Sequence, residues 1–220
     1  MLKEIKMELA GLSLTGGFTY IAPPKNTAGW WGGGTPGGST VQRITFATDT
    51  ATASVRGPLS SSRYNLAAAG NFTYGWFGGG SPGTSSTVQR ITFATDTATA
   101  SVRGPLSAAR RYSAAVGNDT DGWFGGGIDL GVGVSIVNRI TYATDTATAS
   151  VRGPLSLARY QPAAAGNFTD GWFGAGYSSV SGGAVSIVDR ITYATDTDTA
   201  SVRGPLSAVR YRPAAAGGTQ

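Results

Sequence analysis

The eighteen residues RITFATDTATASVRGPLS, at 43–60, return three more times almost letter for letter. The copies open on Arg43, Arg90, Arg139 and Arg190. A unit of this size cannot bury its own faces, so copies of it must stack on one another. The markers are 47, 49 and 51 residues apart, yet the distance from a marker to the next GW pair is always 32. All variation in length therefore falls between that pair and the following marker. A rigid unit alternates with one elastic loop, as in a scaffold with one variable face.

Within a unit the residues alternate with a period of two. In 40–47, Ile44 and Phe46 share one face, and Arg43 and Thr45 the other. That is the period of a strand. A second strand is expected at 51–55, a third in the alanine-rich stretch 64–71, and a fourth in YGWFGGG at 74–80. Between the first two, Asp49 reads as a turn residue accepting hydrogen bonds from the backbone just ahead. Pro58 has no ladder donor and ends the second strand. Four short strands per period of this length predict an all-β fold, a β-propeller of four four-stranded blades.

The last copy stops at the alanine-rich strand, and the first GW element, GWWGGG at 29–34, has no such strand before it. Each end lacks what the other has. The C-terminal strand is therefore expected to pair with Trp30–Gly33 and close a ring of four blades within 29–220. The alternative is that it completes the blade of a neighbouring copy, giving a larger ring or a filament.

Residues 29–217 resemble the kelch repeat. Gly78 and Gly79 stand at its double glycine, Phe46 at its aromatic position, and Arg63 at the arginine after its turn; Ala51–Ser54 stand at its usual tryptophan. The DTATASVRGPLS wording is similar to repeats of virion-associated proteins predicted in aquatic tailed bacteriophages. That second resemblance implies a virion location, a structural component associated with tail or fibre, and other virion proteins as partners.

Composition narrows the chemistry. The chain has neither cysteine nor histidine, which removes disulfides, the usual zinc and haem ligands, and serine–histidine or cysteine–histidine catalysis. No enzyme activity, cofactor or metal is expected. A ring-symmetric metal site at Asp49, Asp96, Asp145 and Asp196 would have one carboxylate per turn and no neighbouring oxygen ligands. The net charge is +5. Twelve of the fourteen arginines occupy three fixed places per unit, the markers, Arg56/Arg103/Arg152/Arg203 and Arg63/Arg110/Arg159/Arg210. Arginine at a fixed place reads as a fork tying loops together, and its sharper alternative is a basic ring around a channel. Nucleic acid is not an expected partner, because the basic residues form no run or single face. No stretch approaches the ~18 apolar residues of a membrane span.

Trp30, Trp76, Trp123 and Trp172 recur with the glycines and read as structural. The candidate binding positions lie in the elastic loops: Thr35 and Pro36, Ser81 and Pro82, Ile128, Asp129 and Leu130, and Tyr177 and Val180. Loops that differ on a repeated scaffold are where binding usually sits. A lectin-like reading follows, in which exposed Trp30, Trp31 or Tyr177 would stack on host glycans. Residues 1–28 have no copy elsewhere. Ile5, Met7 and Leu9 alternate as an edge strand would, although Leu2, Ile5, Leu9 and Leu12 also fit a short helix. This leader is the candidate anchor on a neighbouring subunit.

Overall fold

The computed structural model describes residues 27–34 and 38–217. Ile5, Met7, Leu9, Thr35 and Pro36 lie outside the described residues. The first sheet comprises β1 (Ala28–Gly32), β2 (Val41–Thr45) and β3 (Ser54–Arg56). The second comprises β4 (Ala67–Gly70), β5 (Tyr74–Gly78), β6 (Val88–Thr92) and β7 (Ser101–Arg103). The third begins with β8 (Ala114–Gly117) and β9 (Asp121–Gly125). After a hairpin of β10 (Ile128–Asp129) and β11 (Val132–Gly133), it ends with β12 (Val137–Thr141) and β13 (Ser150–Arg152). The fourth has β14 (Ala163–Gly166), β15 (Asp170–Gly174), β18 (Val188–Thr192) and β19 (Ser201–Arg203), with a hairpin of β16 (Tyr177–Ser178) and β17 (Gly183–Ala184). All ladders are antiparallel, and the fold is all-β and propeller-like.

The sheets stand side by side through their alanine-rich strands, β4 beside β8 and β8 beside β14. Their small side chains allow that approach. Each boundary then holds an apolar cluster with the same recipe. Between the second and third sheets, Trp76, Val88 and Leu106 meet Phe124, Ile140 and Ala149. Between the third and fourth, Trp123, Val137 and Leu155 meet Phe173, Ile191 and Ala200. The core is thus divided into joints between sheets, each apolar strand face being buried by the next copy.

Three expectations change in detail. The marker strand ends two residues early, because 46–48 turn into a short 3-10 helix repeated at Phe93–Thr95, Tyr142–Thr144 and Tyr193–Thr195. The second strand begins at Ser54 rather than Ala51. The expected ring closure is not made among the described residues. The first sheet has three strands, and 213–217 run without strand pairing.

Burial sets the alkaline limit of this core. It pushes the phenols of Tyr142 and Tyr193 well above their ordinary value, Tyr142 with help from the Asp121 carboxylate. The folded protein holds these protons while the unfolded chain releases them near pH ~10. Their contribution to stability is therefore complete below pH ~10 and is lost as pH rises beyond it. A spectrophotometric titration at alkaline pH should show two phenols ionising late, together with unfolding. Tyr142→Phe should remove one of them and keep the fold, since Phe93 fills the same place one sheet earlier. Nine phenols all titrating near pH ~10 in a folded protein would contradict this.

Candidate functional site

The repeated side chains converge on the joints. In a 3-10 turn the side chains at i and i+3 point the same way. The turn beginning at Tyr142 thus presents a ring and the carboxylate of Asp145 together. Both address one indole of the preceding sheet. Trp76 stacks on Tyr142 with centroids 3.8 Å apart and donates its ring N–H to Asp145 Oδ2 at 2.9 Å. Arg90 Nη1 donates to the same oxygen at 3.0 Å, and Arg103 Nε lies 3.4 Å away. Trp123 repeats this with Tyr193 and Asp196, joined by Arg139 and Arg152. Trp30 repeats it with Phe93 and Asp96, joined by Arg43 and Arg56.

The aspartates are therefore clasps between sheets. Asp96, Asp145 and Asp196 reach back to the preceding sheet, a role the local turn reading misses. Asp49 has no preceding sheet among the described residues, is exposed, and pairs with none of them. Trp172 is half-buried and stacks on no ring of a described residue. Arg190 turns instead toward Asp170, its Nε 3.5 Å from the carboxylate.

A second tie lies on the other side of each sheet. Arg110 and Arg159 are fully buried. Arg110 donates to the Phe124 carbonyl and to Asn138 Oδ1. Burial pulls it down to about 10, opposed by the Asp129 carboxylate, so it stays charged at neutral pH. Arg159 donates to the Phe173 carbonyl and forms an ion pair with Asp189 at 3.0 Å. Arg63, more open, donates to the Gly79 carbonyl and to Ser85. Position 89/138/189 also receives the N–H of the turn serine before it: Ser60 to Gln89, Ser107 to Asn138, Ser156 to Asp189. Asp189→Asn should therefore be tolerated within ~1 kcal/mol in a urea melt, because Asn138 already serves a buried arginine with the same carbonyl oxygen. Asp189→Ala should cost about 3–5 kcal/mol, leaving Arg159 buried and uncompensated. Equal losses for the two variants would contradict this account.

The loop candidates separate into buried feet and free tips. Ser81 and Ile128 are buried, bridged to Tyr64 and Arg111; they cannot touch a ligand. Asp129 is half-buried, and Tyr177, also half-buried, is bridged to Tyr160. Pro82 is exposed, and Leu130 and Val180 are 89% and 76% exposed at the hairpin tips. Sequence reasoning missed a row of tyrosines beside them. Tyr112 and Tyr160 are 6.4 Å apart, Tyr160 and Tyr177 5.2 Å, Tyr177 and Tyr211 6.5 Å. Part of their signal is in the sequence: a tyrosine directly follows Arg63, Arg159 and Arg210, and in the second unit Tyr112 stands one place later, after Arg111.

Among the described residues, no group of three acidic, histidine or cysteine side chains could hold a metal ion. No helix among them is long and apolar enough to cross a membrane. No protein-family model matches the chain, and no curated protein matches it.

One likeness to a solved structure is informative. The structure of YjhT superposes with a TM-score of 0.67 at 11% sequence identity. The match covers 84% of this chain and 64% of YjhT, so the chain spans less than two thirds of that protein's length. At this identity the likeness is one of fold, and it accords with the propeller-like arrangement of the sheets.

Proposed function

We propose that this chain is a non-enzymatic structural component of a tailed-bacteriophage virion, associated with tail or fibre and built of kelch-like blades. The observation that carries the reading is the use made of its repeated polar groups. At each internal joint the tryptophan, both arginines and the aspartate tie one sheet to the next. What differs from unit to unit is the loop tips, including the exposed Leu130 and Val180. Such a chain presents surfaces on a rigid frame and performs no chemistry. The bacteriophage assignment rests on the DTATASVRGPLS wording, and other virion proteins are its partners. Immunogold electron microscopy of purified particles from the source tests it. Gold at a fixed place on tail or fibre is expected. Unlabelled particles, with the chain left in the soluble fraction, would overturn the reading.

A second reading is lectin-like binding of host glycans. It is favoured by the tyrosine row, whose last member, Tyr211, is 56% exposed, and by Trp31, 55% exposed. The buried Trp76 and Trp123 take no part in it. A glycan array distinguishes the readings: a retained sugar that Tyr211→Ala releases would establish this one.

A further inference from the structure

Each internal joint is made of two unlike half-faces. The outgoing half offers a tryptophan, two arginines and a bare glycine. The incoming half offers a ring, a carboxylate and a peptide edge. At the second sheet the glycine is Gly104, where an added Cβ would run into the backbone of Ala147 in the third sheet. Gly57 and Gly153 are filled in the same way by Ala98 and Asp198.

Among the described residues, nothing occupies the outgoing half of the fourth sheet. A Cβ on Gly204 would meet no atom within 4 Å. Arg203 is exposed, and its counterparts Arg103 and Arg152 each approach an aspartate of the following sheet. Among the described residues, nothing covers the incoming half of the first sheet. Phe46 is 53% exposed, where Tyr142 and Tyr193 are 7% and 8% exposed. Trp31 is 55% exposed, where its counterparts Phe77 and Phe124 are 5% and 0%. Those phenylalanines lie over Gly32 and Gly78, and the equivalent Gly174 has no ring over it.

The strands show the same division. Among the described residues, β1 is hydrogen-bonded to β2 alone. Residues 214–217 repeat the wording of β4 and belong to no strand ladder among the described residues. Carried over from β4 and β5, the register sets Ala214 opposite Gly32 and Gly217 opposite Gly29. Charge agrees, since one end carries two arginines without an aspartate of a following sheet and the other an aspartate that pairs with no described residue.

We infer that a second copy of this chain seats its first sheet on the fourth sheet of the first copy, head to tail. The joint repeats the three internal ones, with Trp172, Arg190 and Arg203 around Asp49 of the second copy, and 214–217 completing the next copy's first sheet. The two faces differ, so the contact is heterologous and propagates until the rotation closes a ring. The inference does not depend on the virion reading.

Light scattering and sedimentation on the full chain test it. The wild type should exceed the 22.4 kDa of one chain, either at one discrete multiple or growing with concentration; both support the inference. Asp49→Arg blocks only the incoming face, and Gly204→Val only the outgoing one. Each alone should stay at the mass of one chain, with an unchanged circular-dichroism melt at low concentration. An equimolar mixture should give particles of twice that mass and none larger, since each variant keeps one usable face. A wild type that remains a single chain at every concentration would overturn the inference. So would a mixture that stays monomeric, or an Asp49→Arg chain that melts early as a monomer, the mark of closure within one chain.

Discussion

Asp145→Ala should lower the stability of the chain by about 3–5 kcal/mol in a urea melt followed by tryptophan fluorescence. The substitution leaves Arg90 and Arg103 without their counter-charge beneath a largely closed joint, and leaves the Trp76 N–H without an acceptor. Asp145→Asn keeps an acceptor for the indole but loses the charge, so its cost should fall to about 1–3 kcal/mol. The same change at the first turn, Asp49→Ala, is the internal control. It touches no described partner, and at low protein concentration it should stay within ~0.5 kcal/mol of wild type. Four aspartates in the same wording should thus divide into three that hold the molecule together and one that does not. Equal losses at Asp49 and Asp145 would show that the carboxylates act within their own turns.

Gly104→Val should destabilise by about 3 kcal/mol, whereas Gly204→Val should be close to neutral in dilute solution. The glycine N–H of residue 104 donates to the Asp145 carbonyl at 2.8 Å, and the space over its Cα is filled by the peptide of Ala147. A side chain there cannot swing aside, because what it meets is backbone. It must push one sheet off the next, opening the cluster that contains Trp76 and Tyr142. Thermal melts of the two variants, followed by circular dichroism, decide the matter. Losses of similar size at 104 and 204 would mean that the glycine is needed for its own turn and not for the approach of its neighbour.

Much of the architecture was legible because it is written in short periods. The alternation in VQRIT and the bulk of YGWFG mark β6 and β5 as strands without any knowledge of the fold. The clasp was not legible, although each member was singled out. Asp145 and Trp76 are 69 residues apart in the chain, and nothing local says that a carboxylate in a turn will serve a different sheet. The 3-10 turn hid for a related reason. Phe46 continues the strand's alternation in letters, but the backbone must turn there to bring the ring and the carboxylate to one side. The hairpins β10–β11 and β16–β17 escaped because two residues per strand leave no period to read. The sequence leaves closure open, because an inventory of strands balances whether the last one returns to its own chain or reaches another.

The sameness of the three joints has a consequence at the level of the gene. A segment copied in frame, from one marker arginine to the next, brings with it both a socket and a plug that already match. The longer array needs no compensating substitutions, because the new boundary is a sentence the protein has spoken before. Unequal recombination between near-identical stretches can therefore change the number of units in one step, while the intervening loops drift separately. The length of such a protein is free to follow the copying history of its reading frame, and its surface the history of its loops.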